Sequence, residues 1–236
     1  MDKLYIIIPA YNEEENIISV IEEWYPVITD SGCSEDSKLV IVDDGSKDST
    51  LKLAREEEKN RKNLIVLSKK NGGHGSSIQY GYKYALKNGA DYIFQTDSDG
   101  QTLAKEFGAF WNARKDNDVI IGDRTKRGDG ISRKVISLCV KAVVGAIFHV
   151  FPQDINTPYR LMSKEALKDA IKYIPDDYNL TNVALTAIFA KKRVRLKYIP
   201  ITFRARQGGT NSINIPKIIR LGIDAYSDLR GIAKKL

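Results

Sequence analysis

The sequence predicts a doubly wound α/β fold, a mostly parallel central sheet flanked by helices. Continuous apolar runs recur at similar spacing, amphipathic helical patterns lie between them, and each run ends in a polar, loop-forming stretch. Unbroken rather than alternating apolarity marks strands buried on both faces, as in parallel sheets. Ligands on such sheets bind beyond the carboxyl ends of the strands, so the polar stretches are also the candidate site.

The first half supplies the runs Leu4-Tyr5-Ile6-Ile7-Ile8, Leu39-Val40-Ile41-Val42, Leu64-Ile65-Val66-Leu67 and Tyr92-Ile93-Phe94. Between the first two, Asn12 reads as an N-cap with Glu15 three residues on, and Ile17, Ile18, Ile21 and Trp24 share one helical face. A second helix is expected over Ser49 to Lys59, and a third from about Ser76 to Lys87, stopped by Gly89. In the second half Val119-Ile120-Ile121 is a strand ending at Gly122-Asp123-Arg124. A helix follows from about Lys134 to Phe151, apolar nearly all the way round. It is short for a membrane span and reads as buried or interfacial. Val194 to Phe203 reads as one or two strands broken by Pro200. The last segment, Pro216 to Leu236, has Pro at its first turn, and Lys217, Arg220, Arg230, Lys234 and Lys235 lie among its apolar positions. Two readings compete for it: core packing and a basic helix on a membrane surface.

With 236 residues the chain suits one large domain, or a core domain with an added lobe. Hydrophobic residues at 42% and charged residues at 28% fit an ordinary globular protein. The chain enters a strand at Leu4 with no basic segment ahead of an apolar one, so secretion is not expected. Cys33 and Cys139 are the only cysteines, which excludes a disulfide framework and a cysteine zinc site. His74 and His149 do not suggest a histidine metal site. The net charge of +7 calls for an anionic partner. Its cations are dispersed and no nucleic-acid motif is present, so a phosphorylated small molecule or a lipid surface is expected, and no nucleic acid.

The chemistry lies in four stretches at the strand ends: Pro9-Ala10-Tyr11-Asn12-Glu13, Asp43-Asp44-Gly45-Ser46, Asn71-Gly72-Gly73-His74-Gly75 and Asp97-Ser98-Asp99-Gly100-Gln101. Asp97 and Asp99, assisted by Gln101, offer hard oxygen donors suited to Mg²⁺ or Mn²⁺, which favour a few carboxylates together with phosphate oxygens and water. Asp-Ser-Asp-Gly is also good turn chemistry, and alone it fits a solvated turn as well as a cation site. Four polar loops on one sheet edge favour the site. The dinucleotide-binding and P-loop glycine fingerprints are both absent.

These four stretches, in this order and spacing, resemble the family 2 glycosyltransferases, inverting enzymes of the GT-A fold with a Rossmann-like central sheet. The second half is most similar to the dolichyl-phosphate mannose synthase and polyisoprenyl-phosphate glycosyltransferase branch. That similarity rests on Gly122-Asp123-Arg124, on Ser132 to Ser137, on Asp154 through Tyr159-Arg160, and on Pro200 to Gly209. The resemblance implies a single GT-A domain over 1–236: a nucleotide-sugar half at 1–115, an acceptor half at 116–215, and a C-terminal amphipathic helix at 216–236. Its nucleotide-sugar site would use Pro9, Tyr11, Glu13, Asp43, Asp44, Asn71, Gly72, Asp97, Ser98 and Arg206. Arg206, beside Gly208-Gly209, would add a guanidinium and a backbone nest for the diphosphate. Arg124, Arg133 and Ser137 match positions that bind a lipid phosphate, while Asp99 and Asp154 match acids given catalytic roles.

The expected reaction is metal-dependent, inverting transfer of a hexose from a UDP- or GDP-linked sugar to a polyprenyl phosphate, at the cytoplasmic face of the cell membrane. Members that use hydroxyl acceptors carry a Glu-Asp pair ahead of a helix in the second half. Tyr178-Asn179-Leu180-Thr181-Asn182 stands there instead, with Asp176 and Asp177 just upstream. Hydroxyl acceptors need a general base, whereas a phosphate arrives ionised. Thr210-Asn211-Ser212 replaces the branch's usual Ser-Lys pair after Gly209, which removes a cation near the diphosphate. Transfer to a saccharide hydroxyl, with Asp154 or Asp177 as base, remains the competing reaction. A non-catalytic nucleotide-sugar-binding or membrane scaffold is the competing class, and Asp97, Asp99 and Arg206 argue against it.

Overall fold

A computed structural model of the chain describes residues 1–124, 131–204 and 226–236, with the side chains of 131–136 outside the description. The strands are β1 (Leu4–Ala10), β2 (Lys38–Asp43), β3 (Leu64–Ser68), β4 (Tyr92–Gln95), β5 (Val119–Asp123), β6 (Arg160–Ser163) and β7 (Leu196–Pro200). The helices are α1 (Ile17–Asp30), α2 (Thr50–Lys59), α3 (His74–Lys87), α4 (Phe107–Ala113), α5 (Ile131–Phe148), α6 (Lys164–Ile171) and α7 (Thr181–Lys191). One sheet runs in the order β3-β2-β1-β4-β6-β5-β7. It is parallel except for β6, which lies antiparallel between β4 and β5.

The alternation of each strand sorts its side chains onto two cores. In β1, Leu4, Ile6 and Ile8 face a core built with α1 and α4, while Tyr5 and Ile7 face one built with α3, α6 and α7. Leu39 and Ile41 of β2 follow the first set, and Val40 and Val42 the second. The first core centres on Phe94, whose ring meets those of Trp24, Phe107 and Tyr159 at 5.3, 5.0 and 4.7 Å. The Phe107 and Tyr159 rings meet Phe94 edge-on, and such contacts add about 0.5–1.5 kcal/mol beyond area burial.

The antiparallel β6 decides the site's geometry. It starts at the edge where the parallel strands end, with Arg160 in register with Gln95 of β4 and Ile121 of β5. The loops after β1, β2, β3, β4, β5 and β7, and the loop before β6, therefore share one edge.

Several sequence expectations need correction. Asn12 does not cap α1, which starts at Ile17 after Asn16. Asn12 instead takes a left-handed φ of 53°, and its side-chain oxygen accepts from the Lys47 N–H. Ile18 is exposed and not on the buried face of α1. The third helix begins two residues earlier than expected, at His74, and the long helix of the second half runs Ile131–Phe148. Pro200 ends β7 and does not divide it. β6, α4, α6 and α7 were not foreseen. Of the C-terminal helix, residues 226–233 are described as helical, and Leu229 and Ile232 are buried in the core that also holds α7.

Candidate active site

Two cavities open along the carboxyl edge, and His74 and Asp97 line both. The first, about 400 Å³, is lined by residues of the first four loops, among them Pro9, Tyr11, Glu13, Asp44, Asn71, Ser98 and Asp99. The second, about 470 Å³, is lined by residues of the second half, among them Arg124, Ser137, Asn179, Asn182 and Phe203.

The walls of the first cavity are cross-braced. Asn12 N–H donates to Ser46 Oγ at 3.0 Å and Glu13 N–H to Thr50 Oγ1 at 2.8 Å, tying the first loop to the second. Asp44 organises the third. Its Oδ1 accepts from Lys69 Nζ at 2.6 Å and the Gly72 N–H at 3.0 Å, and its Oδ2 from the Gly73 N–H at 2.8 Å. Burial pushes the Asp44 carboxyl up, but the Lys69 ammonium and the two backbone donors outweigh it and hold the group below its ordinary range.

The third loop also joins the two cavities. Gly73 has a φ of +88°, and a Cβ there would lie 2.5 Å from Asn179 Oδ1. At Gly75 a Cβ would meet the Tyr178 carbonyl at 2.1 Å. Only glycine lets the first turn of α3 press this closely on the segment before α7. His74, between them, places Nε2 2.9 Å from Asp97 Oδ1. Desolvation opposes its charged form, but the carboxylates of Asp97 and Asp99 prevail and the His74 pKa is raised.

In the second cavity Arg124 and Asp154 form a two-pronged pair, Nε to Oδ2 at 2.9 Å and Nη2 to Oδ1 at 3.0 Å. The Arg124 guanidinium also lies over the Phe203 ring at 5.0 Å. Below them Arg160 is fully buried. It donates to the Thr157 carbonyl from Nε and Nη2, and to the Asn182 carbonyl and Thr186 Oγ1 from Nη1. Burial lowers its pKa, and Asp154 and the Tyr82 and Tyr198 hydroxyl groups act against that.

The expected site residues fall into three sets. Pro9, Tyr11, Glu13, Asp44, Asn71, Asp97, Ser98 and Asp99 line the first cavity together, and Arg124 and Ser137 line the second. Asp43 is fully buried and lines neither. Its oxygens accept from the N–H groups of Gly45 and Ser46 and from Ser68 Oγ, so it shapes the loop. Gly72 contributes its N–H to Asp44 and is not a lining residue. Gln101 lines the second cavity, with its amide nitrogen donating to the Arg204 carbonyl at 2.8 Å. Asp154 is 2% exposed and lines neither cavity. Of the upstream acids, Asp176 pairs with Lys83 and Asp177 is exposed. Arg206 and the Arg133 side chain lie outside the described residues. His74, Asn179, Asn182 and Phe203 lie in stretches the sequence marks, but none of the four is among the site residues expected from it. For His74 the signal was its place at the first turn of the helix that follows a polar loop.

The carboxylates fit a divalent cation in one respect. Among the described residues no group of three or more His, Cys, Asp or Glu side chains could hold a metal ion. Asp97 and Asp99 are hard donors on one cavity wall, and a pair of this kind leaves the remaining coordination to phosphate oxygens and water.

Similarity to known proteins agrees with this arrangement. A dolichyl-phosphate beta-glucosyltransferase of Trichomonas vaginalis is 24% identical over 236 residues, covering 92% of this chain and 70% of the relative. A UDP-N-acetylglucosamine–dolichyl-phosphate N-acetylglucosaminyltransferase of Methanococcus voltae is 29% identical over 223 residues, covering 85% of each. Among solved structures, glucosyl-3-phosphoglycerate synthase from Mycobacterium tuberculosis, in complex with Mn²⁺, UDP-glucose and phosphoglyceric acid, superposes with a TM-score of 0.71 at 16% identity. It covers 99% of this chain and 80% of that one. S. aureus TarS in complex with UDP-GlcNAc gives a TM-score of 0.61 at 20% identity, covering 93% and 65%. The fold is thus GT-A-like. The model of glycosyl transferase family 2 matches residues 5–169, and the chain belongs to that family of glycosyltransferases.

Proposed function

We propose that the protein moves a hexose, with inversion, from a nucleotide-diphosphate sugar in the first cavity to a polyprenyl phosphate whose head group enters the second. The observation that carries this is the lining of the second cavity. Its only carboxylate among the described residues is Asp97, which belongs to the cation pair, and amides stand at Asn179 and Asn182. A hydroxyl acceptor would find no separate base there, whereas a phosphate oxygen is already a nucleophile. The same cavity offers the Arg124 cation and the Ser137 hydroxyl beside apolar Val140, Ile155, Leu180 and Val183, a match for an ionised head on a hydrocarbon chain.

In this reading the first-cavity loops hold the base and ribose, and Asp97 and Asp99 would hold Mg²⁺ or Mn²⁺. When bound, the cation supplies positive charge to the departing diphosphate. The lipid phosphate oxygen attacks the anomeric carbon, its bond to the nucleotide diphosphate breaks, and no proton need be removed. Arg124, held flat by Asp154 and Phe203, orients the attacking phosphate. No helix among the described residues is long and apolar enough to cross a membrane. Exposed Leu138 on α5, next to Ser137, and exposed Phe151 beyond it support contact with a lipid surface, as does the net charge of +7.

The test is incubation with labelled UDP- and GDP-sugars, Mn²⁺ and polyprenyl phosphate. Label is expected in the lipid fraction, with release of equimolar nucleoside diphosphate. Transfer only to an added oligosaccharide would reject the lipid acceptor, and no turnover with any acceptor would favour a binding scaffold.

A further inference from the structure

His74 and Asp97 are, among the described residues, the two that line both cavities, and they meet there: His74 Nε2 stands 2.9 Å from Asp97 Oδ1. The imidazole is held by its backbone. His74 opens α3 between two glycines that press on the segment before α7. The Gly73 N–H donates to Asp44 Oδ2 at 2.8 Å, and the Gly73 carbonyl accepts from the Ser77 N–H at 3.1 Å. The side chain is thus exposed on the cavity wall while its root is fixed. Asp97 lacks such bracing. It lies two residues beyond β4, and His74 is the only hydrogen-bond partner of its carboxylate among the described residues. A carboxylate turns broadly about its last torsion, so a partner on one oxygen decides where the other points. The bond needs only Nε2–H, which a neutral imidazole carries in one of its two tautomers. A charge on His74 is therefore not required.

We propose that His74 is a positioning residue for the divalent cation, donating from Nε2 to Asp97 Oδ1 and leaving Oδ2 for the metal. This rests on the cation reading of Asp97 and Asp99 above. Groups that hold a metal's ligands fix their orientation, and losing one costs about 10–100-fold in metal affinity. Asp99 is held differently, its Oδ1 accepting from the Gln101 N–H at 3.1 Å within its own turn. Asp97 alone depends on a side chain from another loop. His74 acts through Asp97, and no step of the transfer falls to its ring.

The test uses the full chain with Mn²⁺ and saturating UDP, or GDP if that binds better. Bound Mn²⁺ is followed by electron paramagnetic resonance and by calorimetric titration. His74→Ala should weaken Mn²⁺ binding by about 10–100-fold and leave nucleotide affinity without metal at its wild-type value. His74→Gln, whose side-chain amide offers a donor at similar reach, should recover most of that loss. Mn²⁺ binding by His74→Ala as tight as wild type, or tighter because the imidazole competes with the cation, overturns the assignment. So does equal weakening of Mn²⁺ and of metal-free nucleotide, or a Gln variant no better than Ala when both are folded by circular dichroism. Folded wild type that binds nucleotide but no Mn²⁺ would overturn the cation reading of Asp97 and Asp99, and this assignment with it. That result would leave the polyprenyl phosphate acceptor to the labelling assay.

Discussion

Arg124, at the end of β5, faces Asp154, in the loop before β6, as a planar ion and donates to its carboxylate two parallel hydrogen bonds of 2.9 and 3.0 Å. The carboxylate is nearly sealed from solvent, and Oδ1 accepts a further bond from the Asn156 N–H. On the proposed function an acid so engaged serves its arginine, fixing the plane of a cation that lines the second cavity. Asp154→Asn keeps the shape and removes the charge. It is expected to raise the acceptor KM while leaving the shape of the pH–rate profile unaltered, and to lower stability by about 3 kcal/mol, as breaking a buried pair does. Loss of the acidic limb of that profile in Asp154→Asn would instead identify the residue as a general base.

Asp44 has a folded-state pKa below its ordinary 3.8, held there by Lys69 and the Gly72 and Gly73 N–H groups. The sign follows from linkage: a depressed acid contributes stability that is complete above the unfolded pKa and is lost as pH falls through the folded one. Urea unfolding from about pH 7 down to about pH 3 should therefore show wild type losing its margin over Asp44→Asn only at the acid end. A margin that stays constant over the whole range would contradict the assignment.

Asp97 and Asp99 are expected to be required together. Either Ala variant should lose about 100-fold or more in kcat, with the fold intact by circular dichroism. Wild type should also show a rise in Tm with Mn²⁺ and UDP added together that exceeds the separate effects, and this excess should vanish in both variants. An excess that survives in Asp99→Ala would remove that residue from the cation site.

Arg160 donates to two carbonyls and one hydroxyl in a fully buried position. Arg160→Met should leave those acceptors unpaired and lower stability by about 2–4 kcal/mol. Arg160→Lys should recover only part of it, since an ammonium does not reproduce the planar fork. Equilibrium denaturation measures both, and a neutral Met variant would show that the guanidinium is not the brace between the loop before β6 and the first turn of α7.

The sequence made the parallel core legible because β1 and β2 are buried on both faces, and such strands are written as unbroken apolar runs. β6 was hidden by the same rule: Arg160-Leu161-Met162-Ser163 is short, opens on a charge and closes on a hydroxyl. α7 was hidden for another reason. It is buried nearly all round, Thr181, Asn182 and Thr186 included, so no polar face gives it a 3.6-residue period. The first cavity was legible as four loops because a polar stretch directly after a buried strand falls on the sheet edge where ligands bind. Apart from Asp97 and Gln101, the second cavity was legible only at Arg124 and Ser137, because a buried Arg160 or Asn182 looks in one dimension like a surface residue. Asp43 and Asp44 show the limit within a single motif: adjacent acids of like chemistry, one turned into its own loop and one towards the cavity.

On the proposed function the acceptor brings its own negative charge. Polyprenyl phosphate and the matching polyprenol, offered in parallel with the same labelled sugar nucleotide and Mn²⁺, separate that from transfer to a hydroxyl. Labelled product is expected from the phosphate and none above background from the alcohol across the pH range of activity. Comparable transfer to the alcohol would contradict it, since a neutral hydroxyl reacts only where a protein base takes its proton.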